Sequence, residues 1–190
     1  MMWWVLACAS PEPRPCELLD VDRPPPTEIA DVADAFELAR SLQPLDGVHI
    51  ELEPLESDIS YFQANVDFAT LSAAPRERRY LLEHNRRLFD DPPSFQAVVA
   101  ILVHEAQHFV DFSSWSGTEL AEWGAWYGTT DDISTYERQT DEGALRLGCG
   151  EGLSAFRVWL YDHVSPEVAD QKRHDYYTPE EIDAWERENR

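Results

Sequence analysis

The sequence predicts an α+β fold, mostly helical, with a short mixed or antiparallel sheet beside its most apolar helix. Three observations predict it. Apolar residues recur at three- and four-residue intervals in several stretches. One run, Phe95 to Phe112, is apolar nearly all round. One short stretch, Val48 to Glu53, alternates instead. With 190 residues, 43% of them hydrophobic and 12% aromatic, the chain can build one core.

The elements follow in order. Residues 1–8 end in Val5-Leu6-Ala7-Cys8, the form of a bacterial lipoprotein processing box, in which Cys8 would carry a lipid and tether the protein to a membrane. The apolar region is short and no basic residue precedes it; a start placed too late would account for both. Residues 9–27 carry Pro11, Pro13, Pro15, Pro24, Pro25 and Pro26 with few apolar residues, the composition of an extended linker. The folded domain is expected over 28–190.

Ile29, Val32, Ala33, Phe36, Ala39 and Leu42 recur at helical spacing, and Pro44 follows the end. Val48, Ile50 and Leu52 alternate with His49, Glu51 and Glu53, a strand with one wet face that points His49 to solvent. A second extended segment is expected within Tyr61 to Leu71, and a third at Tyr80 to Asn85. Asp90-Asp91-Pro92-Pro93 breaks the chain, and Ser94 is placed to cap the long apolar helix. Ser113 to Asp132 is rich in aromatic residues: Trp115, Trp123, Trp126 and Tyr127 either roof the core or wall a cleft. Thr118 is expected to cap a short helix there. Further helices are expected over Ser134 to Leu147, stopped by Gly148, over Ser154 to Val164, and from Ser165. The last opens at Thr178-Pro179-Glu180-Glu181, a capping box with Pro at the first helical position.

Inside the long helix stands His104-Glu105-Ala106-Gln107-His108. Four residues is a little over one turn, so the two imidazoles share a face and can hold a zinc ion with room for a third ligand and a water. Glu105, one position round, can take the proton of that water. Two His and a Glu in an apolar helix are costly unless paired or metal-bound. Downstream, Glu137 and Asp141 form the sole Glu-x-x-x-Asp pair among 37 acidic residues. At helical spacing Glu137 could ligate the metal while Asp141 accepts the N–H of a ligand His and sets its tautomer.

On His104, Glu105, His108, Glu137 and Asp141 the chain resembles the gluzincin metallopeptidases, most nearly the minigluzincins and the CaaX-processing proteases. Gln139 and Thr140 depart from that class, which has Glu and Ala there. The resemblance implies a zincin-like domain that hydrolyses peptide bonds with Zn2+, Glu105 acting as base. It also implies an edge strand just ahead of the zinc helix that pairs with an extended peptide or protein substrate. Two alternatives accompany Glu137. Ser134-x-x-Glu137 reads as a capping box, which would turn Glu137 away from a metal unless Asp131 or Asp132 caps the helix. Gly128-Thr129-Thr130-Asp131 resembles part of the aspzincin motif, making Asp131 the alternative third ligand. The group that faces the developing oxyanion is left among His163, His174, Tyr136, Tyr161, Tyr176 and Tyr177. The alternative function is a zinc-binding or interaction domain that does not cut.

The formal net charge of −22 argues against nucleic acid as a partner. Fourteen of the fifteen basic residues are Arg, and Lys172 is the only lysine. The chain is expected to be a monomer, extracytoplasmic and lipid-anchored; the alternative is a cytoplasmic one. Cys16 and Cys149 would pair if it is exported and stay thiols in the cytoplasm.

Overall fold

The computed structural model describes residues 12–130 and 132–189. Seven α-helices and one three-stranded sheet make up the described chain: α1 (Ile29–Ser41), β1 (Ile50–Leu55), β2 (Phe62–Val66), β3 (Tyr80–Asn85), α2 (Phe95–Ser114), α3 (Gly117–Tyr127), α4 (Ser134–Arg146), α5 (Gly150–His163), α6 (Pro166–Asp175) and α7 (Pro179–Asn189). The fold is mostly helical α+β, as the periodicities predict.

The axis of the fold is α2. Its apolar circumference lets it bury surface on every side, and α1, α4, α5 and β2 all pack on it. Ser94 caps it as expected, its hydroxyl accepting from the Ala97 N–H at 3.2 Å. Fourteen of its 20 residues are buried, His104, Glu105 and His108 among them. The core runs from Val32, Phe36 and Ala39 of α1 through Val98, Leu102 and Phe109 to Leu145, Leu153 and Ile182.

The sheet is mixed, in the order β1-β3-β2. β1 runs parallel to β3, Ile50 opposite Tyr80, and β2 runs antiparallel to it, Ala64 opposite Leu82. This overturns the expected edge ahead of the zinc helix. β3 is that preceding strand, yet both its sides are paired, so its backbone has nothing left for a substrate. The free edge next to α2 belongs to β2. His49 faces solvent as expected, its side chain 75% exposed.

Two caps differ from expectation. Ser116, not Thr118, starts α3, because its hydroxyl accepts from the Glu119 N–H while Glu119 accepts from the Ser116 N–H at 2.7 Å. α5 begins at Gly150, four residues before Ser154, directly after Gly148 turns the chain at φ +89°. The Thr178 cap of α7 is present.

The proline-rich segment is docked on the domain. Pro15–Leu18 forms a 3-10 turn, and Cys16 is joined to Cys149 by a disulfide with Cα atoms 5.3 Å apart. Arg14 donates to the Leu145 carbonyl and pairs with Glu186 at 2.7 Å. No helix among the described residues is long and apolar enough to cross a membrane. Cys8 lies outside the described residues.

Candidate metal centre

α2 supplies His104 and His108 one turn apart, and α4, packed against it, supplies Glu137. Glu137 Oε2 lies 3.3 Å from His104 Nε2 and 3.5 Å from His108 Nε2. All three residues are buried, and their ligand atoms lie within 4.8 Å of one another. The spacing suits a metal: tetrahedral zinc with bonds of about 2.1 Å keeps its donor atoms about 3.4 Å apart. Glu137 Oε2 is also a buried oxygen that accepts no hydrogen bond. A carboxylate in that position is costly unless a cation meets it, either an imidazolium of His104 or His108 or a metal between them.

The capping-box alternative for Glu137 does not occur. Asp132 Oδ1 accepts both the Ser134 N–H, at 2.9 Å, and its hydroxyl, at 2.6 Å. With Ser134 so engaged, Glu137 turns inward and is 1% exposed. Asp131, the alternative ligand, lies outside the described residues.

Each metal-facing group is held from behind. Asp141 Oδ1 accepts from His104 Nδ1 at 2.8 Å. That donation leaves the Nε2 lone pair of neutral His104 for a metal. Asp141 is itself held by Arg157 Nη2 at 2.9 Å and by the Tyr177 N–H on its other oxygen at 2.9 Å. Burial pushes the Asp141 carboxyl up, but Arg157 and then His104 outweigh it and hold it below the carboxylate range. Without a metal, burial pushes His104 down, but Asp141 and Glu137 outweigh it and raise it to about 9, so a metal must displace the Nε2 proton to use that lone pair. Burial likewise would raise Glu137, and the two imidazoles hold it well below its usual range.

The other side is built from hydroxyls. His108 Nδ1 lies 3.0 Å from the Tyr136 hydroxyl, which also reaches Asp111 Oδ2 at 3.4 Å. Tyr127 donates to Glu137 Oε1 at 2.6 Å, leaving Oε2 for the metal position. Burial and neighbouring carboxylates push both phenols up, so they remain protonated donors. Glu105 does not face its helix neighbours; its Oε2 accepts the Ala64 N–H of β2 at 2.8 Å.

These groups open onto a cavity of about 600 Å³. β2 lines one side through Phe62, Ala64 and Asn65, and Trp123 and Tyr127 of α3 line another. The aromatic segment divides: Trp115 and Trp123 pack on the core, Trp123 and Tyr127 wall the cleft, and Trp126 is exposed. A second group, Asp132, His174 and Asp175, also converges, but Asp132 and His174 are exposed and the carboxylates are engaged by Ser134 and Gln171.

Of the residues read from the sequence, the structure brings His104, Glu105, His108, Glu137 and Asp141 together. Sequence reasoning missed Arg157, Ala64 and the hydrogen bond from Tyr127 to Glu137. Arg157 left a signal: it stands in the stripe Leu153, Phe156, Arg157, Leu160, a charge on the apolar face of a helix. Comparison with protein-family models, with curated proteins and with solved structures finds no match to this chain.

Proposed function

We propose that the protein is a zinc-dependent peptide hydrolase of the gluzincin kind, with His104, His108 and Glu137 as the metal ligands. The observation that carries this reading is the convergence of three buried ligand atoms, Glu137 Oε2 lying 3.3 Å and 3.5 Å from the two Nε2 atoms. Bound zinc would lower the pKa of a water and polarise the scissile carbonyl. The chain's own residues do the rest. Glu105, anchored through Oε2 to the Ala64 amide, takes the water proton on Oε1 and passes it to the leaving amine. Asp141 and Tyr136 keep the two imidazoles turned with Nε2 inward. An extended peptide lies along β2, whose outer edge lines the cleft, rather than along β3.

The donor set favours zinc over calcium or magnesium, which take oxygen ligands. The Cys16–Cys149 disulfide supports the extracytoplasmic reading, since such bonds persist in oxidising compartments. The test pairs zinc content with cleavage of a peptide library. Wild type should carry about one zinc per chain. Glu105→Gln should keep it and lose about 10²–10⁴-fold in rate. Glu137→Ala should lose the zinc and Asp131→Ala should not. Zinc retained without cleavage in the wild type would leave the binding-domain alternative. A wild type that takes up no zinc would end both.

A further inference from the structure

Peptide hydrolysis needs a donor for the oxygen of the attacked carbonyl, and the six groups named from the sequence are largely spent elsewhere. Tyr136 serves His108, and the Tyr177 hydroxyl donates to Glu142 at 3.2 Å. His163 sits between the Trp159 carbonyl and Asp91, and His174 is exposed beside Asp175. Tyr161 lines neither of the cavities that reach His104. Only Tyr176 remains in the cleft, and beside it stands a group not among the six.

Lys172 of α6 is the only cationic side chain lining the larger cavity among the described residues, against Glu105, Glu137, Glu167 and Asp175. It also lines a smaller cavity of about 40 Å³ together with His104, Glu105, Arg157 and Tyr176. That is room for about one water or one oxygen of a ligand. Its ammonium lies 5.1 Å from the centre of the Tyr176 ring. Tyr176 is in turn held by Arg157, 4.4 Å from the same ring centre. Among the described residues no ion pair or hydrogen bond engages the Lys172 ammonium, while the Lys172 carbonyl accepts the Tyr176 N–H. A half-buried ammonium that shares this small cavity with the Glu105 carboxylate and forms no ion pair is an open position for negative charge.

We infer that Lys172 is a catalytic residue whose ammonium takes the negative charge developing on the scissile carbonyl oxygen. The inference rests on the hydrolase reading. As the water oxygen bonds to the carbonyl carbon, the carbonyl π pair moves onto its oxygen, beside Lys172. Glu105 holds the water proton. The oxygen's pair then re-forms the carbonyl as the C–N bond breaks, the electron pair of that bond leaving with nitrogen, which receives the proton held by Glu105. The same ammonium could instead bind a carboxylate already on the substrate. Charge decides against it: four carboxylates line the cleft and the chain carries −22, so an anionic substrate is repelled on approach. Charge that appears only in the transition state never makes that approach.

The experiment uses the zinc-loaded full chain and fluorogenic peptides with free and amidated C-termini. Lys172→Met should lower kcat by about 10²-fold for both peptides, as loss of one oxyanion donor does, with KM and zinc content unchanged. Affinity for a phosphinic dipeptide, whose anionic oxygens mimic the tetrahedral carbon, should fall by a similar factor. Lys172→Arg should recover part of both. A second readout needs no turnover. Reductive methylation with ¹³C-formaldehyde labels only Lys172 and the chain's α-amino group, and the Lys172 methyl signal should move when the phosphinic dipeptide binds. Unchanged kcat and phosphinate affinity in an active Lys172→Met enzyme would overturn the inference while sparing the hydrolase reading. A rise in KM confined to the free-C-terminus peptide would overturn it in favour of a carboxylate anchor. A wild type without cleavage would remove the hydrolase reading and this inference together.

Discussion

The two imidazoles of α2 are braced by opposite kinds of chemistry. Behind His104 stands a charged lattice, Asp141 with Arg157 and the Tyr177 N–H, in which the Asp and Arg are 0% and 2% exposed. Behind His108 and Glu137 stand two phenols, Tyr136 and Tyr127, among the rings of Trp115 and Trp123. The first side is buried and lies against α5. The second opens to the cleft. The difference teaches where each bracing is affordable. A buried ion pair holds direction best where its acceptors are met, and both Asp141 oxygens are met by His104, Arg157 and the Tyr177 N–H, while Arg157 Nε is left without a partner. Near the cleft, water would reach such a pair, and neutral hydroxyls do the positioning instead.

Breaking the charged side should have the largest effect. Asp141→Ala leaves the Arg157 guanidinium, the His104 Nδ1–H and the Tyr177 N–H without their acceptor in the core. Loss of about 3–5 kcal/mol is expected, read by urea unfolding of metal-free protein, together with loss of zinc binding. A stable, zinc-binding Asp141→Ala variant would refute the account of that side. Changing both members, Asp141→Leu with Arg157→Met, sharpens the point. Stability should recover most of that loss while zinc affinity stays low, because the apolar pair fills space but cannot orient His104.

The hydroxyl side should yield less. Tyr136→Phe removes the hydroxyl shared by His108 and Asp111, Tyr127→Phe removes the bond to Glu137, and neither removes a charge. Each should cost about 1 kcal/mol of stability and about tenfold in zinc affinity, measured by competition with a chelator. An effect equal to that of Asp141→Ala would erase the contrast between the sides.

The smallest effect belongs to a surface pair that serves as baseline. Glu51 of β1 accepts from Arg79 at 2.7 Å, and this hydrogen bond holds its carboxyl below the ordinary value. A depressed carboxyl contributes stability above its unfolded pKa and loses it as pH falls through the folded one. The stability gap between wild type and Glu51→Gln should therefore be small at pH 7 and close on acidification below the usual Glu range. A gap that widens in acid would reverse the sign assigned to the pair.

Much of the centre was legible because it is local. His104, Glu105 and His108 share one helix, and Glu137 and Asp141 share another, so the 3.6-residue period alone sets which of them face together. The capping of α2 and α7 was legible for the same reason. What failed to show was non-local. Arg157, Tyr127 and Lys172 reach the centre from α5, α3 and α6, and no spacing within one element places them there. The third strand was read correctly as a strand and wrongly as an edge, since strand order is set by which neighbours pair with it.

By itself, the sequence determined the helix-rich α+β class, the pair of imidazoles on one face of α2 and the pair of carboxylates on one face of α4. These follow from periodicity and from the cost of burying polar groups, both of which act within a few turns of chain. Only the tertiary structure decided that β2 is the open edge, that Cys16 meets Cys149, that Arg157 closes the lattice behind Asp141, and that the one lysine lines the cleft. Those outcomes depend on how separate elements dock on α2. Docking is decided by the sum of buried surface and satisfied hydrogen bonds over the whole domain, which no single segment encodes.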